Sequence, residues 1–135
     1  MQKSTLPALV SLCVLAGGIF LLNDIALADF FYWKYWWYDI MMHSLGGLFV
    51  GGAVAWFFVR TGYAQKLSTK NFLLLTVALV FAVCAGWEIF EYTNGFFLGE
   101  VNVALDTMGD LLCDVLGGFV GWYILYRTFI THHSL

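Results

Sequence analysis

Four runs of roughly 20 mostly apolar residues follow one another along this chain. A run of that length crosses ~30 Å of hydrocarbon at ~1.5 Å per helical residue. Inside a bilayer each segment has to satisfy its own backbone N–H and C=O groups, so runs of this kind become helices. Composition agrees: of 135 residues 61% are hydrophobic and 11% charged, where a soluble domain carries about 25% charge. Such a chain cannot cover its apolar surface in water. A single proline excludes a linker-rich or disordered chain, and a net charge of -3 without a basic patch excludes a nucleic-acid-binding protein. The fold class predicted is all-α, a single transmembrane domain built as a four-helix bundle in contact with lipid.

The spans are predicted at about 5–27, 36–59, 71–92 and 106–126. Lys3, the first apolar run and Ala26-Leu27-Ala28 resemble a cleavable signal peptide, but the run is long for one, and a retained helix is expected. Lys3, then Arg60, Lys66 and Lys70, then Arg127 fall at alternate span ends, opposite only Lys34, so the positive-inside rule places both termini in the cytoplasm. The stretch from Phe30 to Tyr38, aromatic except for Lys34, then lies at the outer interface as an aromatic belt. Asn94-Gly95 offers a left-handed cap to the third span, and the apolar connector Thr93 to Leu105 is expected to lie in the interface as a lid. Cys13, Cys84 and Cys113 sit inside apolar runs without CxxC spacing and read as small hydrophobes.

The acids carry the functional information. Asp24, Asp29 and Glu100 fall in outer connectors, whereas Asp39, Glu88, Glu91, Asp106, Asp110 and Asp114 fall within spans. Asp39 and His43 are four apart, Glu88 and Glu91 three apart, and Asp106, Asp110 and Asp114 step by four, so each set shares one face of its helix. With spans two and four starting at the outer side and span three ending there, the three sets stand at similar depth. The same faces continue into Gly47/Gly51 and Gly117/Gly121, G-x-x-x-G spacings that let helices approach closely and also offer a face for a homo-oligomer. The acids are therefore expected to point into the bundle. Asp39 to Gly47 and Asp110 to Gly118 share D-x-x-x-[H/D]-x-L-G-G, a faint internal repeat.

Two like charges ~5 Å apart repel by roughly 3 kcal/mol at an effective dielectric of ~20. Six carboxylates cannot all stay ionised in such a place unaided: either some are protonated or a cation sits among them. An oxygen-rich set with one imidazole suits Mg²⁺, Mn²⁺, Ca²⁺ or Zn²⁺. The metal ligands expected are Asp39, His43, Glu88, Asp110 and Asp114, with Glu91 or Asp106 as general base.

Asp39-Ile-Met-Met-His43 with its glycines, Gly86-Trp87-Glu88-Ile89-Phe90-Glu91, and Asp106-x-x-x-Asp110-x-x-x-Asp114-Val-Leu-Gly-Gly resemble the pattern of VanZ-like and YjdF-like small bacterial membrane proteins. The resemblance covers about two thirds of the chain. It implies a multi-pass protein of the bacterial inner membrane, and VanZ itself is associated with glycopeptide-antibiotic resistance. The chain is shorter than YjdF-like proteins and has Asp114 where VanZ-like members tend to have Asn. CDP-alcohol phosphotransferases share the closing G-x-x-x-D-x-x-x-D, but their D-G-x-x-A-R opening is missing here.

These observations favour a metal-dependent hydrolase or transferase acting on a lipid-linked or envelope substrate. A cation- or proton-coupled transport or sensing protein and a non-catalytic membrane assembly component are the alternatives. The topology is checked by impermeant thiol labelling in a cysteine-free background: Asp29→Cys and Asn102→Cys react from outside, and Gln65→Cys does not. Reaction at Gln65→Cys alone inverts the orientation.

Overall fold

In the computed structural model, residues 4–95 and 102–130 are described. The helices begin and end where local chemistry dictates. Pro7, in the first turn of α1 (Leu6–Asp29), removes an N–H that has no helical partner there. Phe30 then takes the left-handed conformation, φ 60°, and its N–H donates back to Ala26 O. It turns the chain into the one-turn helix α2 (Phe31–Lys34). Tyr35 is extended and leads into α3 (Trp36–Arg60). After a 3₁₀ turn, Ala64–Lys66, Ser68 starts α4 (Thr69–Asn94), its hydroxyl accepting from the Asn71 N–H at 3.2 Å. Gly95 closes α4 at φ 74°, the left-handed cap expected from the sequence. Asn102 caps α5 (Val103–Phe129), its side-chain oxygen accepting from the Leu105 N–H at 3.2 Å.

Four long helices, Leu6–Asp29, Trp36–Arg60, Thr69–Asn94 and Val103–Phe129, are long and apolar enough to cross a membrane. The chain is an all-helical, multi-pass membrane protein. The short α2 and the 3₁₀ turn lie outside the spans read from the sequence. Residues 96–101, the middle of the expected lid and with them Glu100, lie outside the described residues, as do Lys3, His132 and His133.

The α3–α5 pair is the closest in the bundle. A Cβ on Gly47 would fall on the Asp114 carbonyl and one on Gly51 on the Gly118 carbonyl, while Gly117 and Gly121 meet the Ser44 and Leu48 carbonyls in return. Both G-x-x-x-G faces are thus spent within the chain. α4 lies against both, its buried residues Phe72, Thr76, Val80, Cys84 and Glu88 recurring every fourth position. The Val80 methyls occupy the space a Cβ on Gly118 would enter, at 2.8 Å.

Burial changes character along the bundle. At the Arg60 end, Ala55, Val59, Phe72, Trp122 and Phe129 form an apolar core. At the other end the buried residues are His43, Glu88, Asp110 and Asp114. α1 stands apart. Only Ala26 of it is buried, and it is tied to α3 by Tyr38 Oη donating to Leu22 O (3.0 Å) and by Trp56 Nε1 donating to Thr5 O (3.1 Å). Val14, Phe20 and Leu21 are exposed, as suits a lipid-facing helix.

Gly47→Ala and Gly117→Ala are expected to destabilise by at least the ~1–3 kcal/mol typical of overpacking, because the obstacle is backbone. Gly109, with nothing within 4 Å of a Cβ, should accept alanine with a gain of up to about 1 kcal/mol from helix propensity. Unfolding titrations in detergent compare the three.

Candidate functional site

The polar end of the bundle brings the expected residues together from three helices. Asp39 lies in the first turn of α3, where the helix dipole favours a carboxylate, and His43 follows one turn later. Because α3 and α5 meet through glycines, the next turns of α5 carry Asp110 and Asp114 directly against His43. Asp114 Oδ2 stands 3.1 Å from His43 Nδ1. On its other edge, His43 Nε2 lies 3.7 Å from Asp39 Oδ1 and 4.0 Å from Glu88 Oε1. His43 is therefore the hub, touched by acids of α3, α4 and α5.

Depth divides the acids. Glu88, Asp110 and Asp114 are 5%, 4% and 3% exposed. Asp39, Glu91 and Asp106 are half-buried nearer the helix ends. Both carboxylate oxygens of Glu88 are enclosed without a hydrogen-bond partner. The Thr107 side chain faces Glu88 but does not reach hydrogen-bonding geometry. A buried carboxylate left this way is costly unless something positive or protic completes it. Asp24 and Asp29 are exposed on α1.

Two sets of donor atoms lie within 4.8 Å of one another, Asp39, His43 and Asp110 in one, and His43, Glu88 and Glu91 in the other. Donors on opposite sides of an ion with ~2.0–2.4 Å bonds stand ~4–4.8 Å apart, so each set has the span of a first coordination shell. Asp114, expected as a ligand, belongs to neither set; its carboxylate is against the back edge of the imidazole. Asp106 also belongs to neither and stands in the first turn of α5, close enough to act electrostatically on Asp39 and Asp110.

Two further residues, neither carrying a site signal in the sequence, border the cluster. The Cys84 thiol, buried one turn before Glu88, lies against the Asp114 carboxylate. Tyr32, outside the spans, donates its hydroxyl to Asn23 Oδ1 at 3.0 Å. Burial, together with the Asp39, Tyr38 and Glu91 groups, holds its phenol above its usual range. It marks where the cluster meets the aromatic belt, in which Tyr32 and Tyr38 pack edge to face at 5.3 Å. Neither signal is readable from spacing: Cys84 lies in an apolar run and Tyr32 in an aromatic one.

The fold and this cluster define a multi-pass helical membrane protein with a buried acid and imidazole centre. The chain belongs to the family described as predicted membrane protein (DUF2238), whose model matches residues 2–131. No curated protein and no solved structure matches it.

Glu88→Gln is expected to raise the stability of the chelator-treated protein by about 1–3 kcal/mol, since it removes a charge that no group completes. Unfolding of the two proteins in the presence of chelator reads the difference; a less stable Glu88→Gln would mean that the carboxylate is already satisfied without metal.

Proposed function

We propose that the protein holds a divalent metal ion in the cluster and is a metal-dependent membrane enzyme, a hydrolase or transferase acting on a lipid-linked or envelope substrate. The observation that carries this reading is Glu88, buried with both oxygens unpartnered and aimed at the nitrogen that also faces Asp39. A divalent ion among these groups removes the repulsion and completes Glu88 in one step. His43 is the shared ligand in this reading, the carboxylates come from its two donor sets, Asp39 with Asp110 and Glu88 with Glu91, and Asp114 backs the imidazole.

An ion held there would supply Lewis acidity toward a carbonyl or phosphoryl oxygen. Asp106, and Glu91 when it is not itself engaged by the ion, are half-buried at the rim and placed to serve as general base. The position of the cluster at the aromatic end of the bundle supports a substrate that is itself held in the interface. The alternating basic residues support an opening on the outer side of a bacterial inner membrane, and the D-x-x-x-H, E-x-x-E and D-x-x-x-D-x-x-x-D motifs, similar to those of VanZ-like and YjdF-like proteins, support the same compartment.

The test is metal linkage. Chelation should lower the melting temperature at neutral pH and added metal should restore it. A ligand of the folded state at ~100 times its Kd contributes about 2.7 kcal/mol, and Asp110→Asn should shrink this response by removing a ligand charge. A melting curve indifferent to chelator, together with no stoichiometric metal on elemental analysis, overturns the metal reading and the enzyme reading built on it.

A further inference from the structure

His43 belongs to both donor sets, and its two nitrogens are not equivalent. Nδ1 lies 3.1 Å from Asp114 Oδ2. Asp114 therefore occupies that edge of the ring, and the edge left for an ion is Nε2, the nitrogen that faces Asp39 at 3.7 Å and Glu88 at 4.0 Å. One lone pair ligates one ion.

We infer that the cluster takes one divalent ion at a time through His43 Nε2, in either of two seats, Asp39 with Asp110 or Glu88 with Glu91, and that Asp114 is the positioning residue that makes Nε2 the ligand. The inference rests on the metal reading above. The two seats have the same make-up: each joins one deep carboxylate, Asp110 at 4% or Glu88 at 5% exposure, to one half-buried nearer the rim, Asp39 or Glu91. A second ion in the other seat would have no nitrogen ligand and would face the first across a single imidazole. The seats also differ in what carries them. Asp39 and Asp110 stand on the glycine-locked pair α3 and α5, whereas Glu88 and Glu91 both stand on α4, so movement of α4 against that pair changes one seat and not the other.

Asp114 acts through the ring. A carboxylate on the far nitrogen of a ligating histidine fixes tautomer and orientation, and its replacement costs ~10–100-fold in metal affinity. Cys84, against the same carboxylate, flanks it from α4.

Cobalt(II) titration of the detergent-solubilised protein, read by visible absorption, tests the stoichiometry. The wild type should saturate at one equivalent. Asp39→Asn with Asp110→Asn, or Glu88→Gln with Glu91→Gln, should each still bind one ion, more weakly. Asp114→Asn should bind one ion ~10–100-fold more weakly. ¹⁵N NMR of the imidazole in the zinc-loaded proteins should show the ion on Nε2 and the proton on Nδ1 in the wild type, and a changed balance between the two nitrogens, hence a changed tautomer, in Asp114→Asn. Far-UV circular dichroism confirms that each variant is folded. Two equivalents in the wild type, or loss of all binding in a folded variant lacking one seat, overturns the two-seat inference and leaves the metal reading standing. Wild-type affinity and tautomer in Asp114→Asn overturn the positioning role. No cobalt binding by the wild type overturns the metal reading itself.

Discussion

The polar centre depends on the backbone contact between α3 and α5. Gly47 meets the main chain of Asp114, and Gly47 lies one turn beyond His43, the residue that the Asp114 side chain holds at 3.1 Å. The same α5 residue thus supplies the carbonyl that α3 leans on and the carboxylate that fixes its imidazole. A side chain at Gly47 would push the two helices apart and lengthen the His43 to Asp114 contact with them. Rigid elements, in place of loops, then carry the ligating groups, which is how a site keeps its donors within a few tenths of an ångström of a working arrangement.

Around this seam the bundle separates two environments. Toward Arg60 the helices meet through Phe72, Trp122 and Phe129, with Phe72 and Trp122 at 5.9 Å between ring centroids. Toward Asp39 the same helix faces bury acids. On α4 a single buried stripe makes the transition, from Phe72 through Thr76, Val80 and Cys84 to Glu88. In lipid there is no hydrophobic drive between helices, so close packing and polar contacts hold them. Here the packing dominates one end and the polar contacts the other.

Much of this was legible in the sequence for stated physical reasons. Apolar length marked the four spans, because a bilayer allows few other solutions, and Gly95 was readable as a cap because left-handed backbone favours glycine. The four-residue spacing of Asp39 and His43, and of Asp110 and Asp114, set their shared faces, and the glycines beside them indicated that those faces turn inward. The pairing itself was not legible. That His43 turns one nitrogen to Asp114 and the other to Asp39 and Glu88 depends on how far α5 slides along α3, and no local pattern encodes that offset. Nor does spacing distinguish glycines that close a chain on itself from glycines that join two chains: Gly47 and Gly117 were open to both readings. Phe30 was hidden for the opposite reason, since a left-handed turn at an aromatic residue runs against the preference that makes such turns readable.

That turn at Phe30 governs how α1 can move. α1 leaves most of its surface to lipid, and at the end near the cluster only one residue and one helical turn separate it from Tyr35 and α3. Tyr32 bonded to Asn23 and Tyr38 bonded to Leu22 tighten the same corner. The far end is held to the bundle by the Trp56 indole on the Thr5 carbonyl, by Leu12 over Gly52 and by Ala8 against the apolar core. α1 is therefore pinned to α3 at both ends, with its outward side bare between the pins. Any change in the angle between α1 and α3 has to be taken up at Phe30 and α2, so the setting of the most loosely packed helix is decided at the corner that borders the acids.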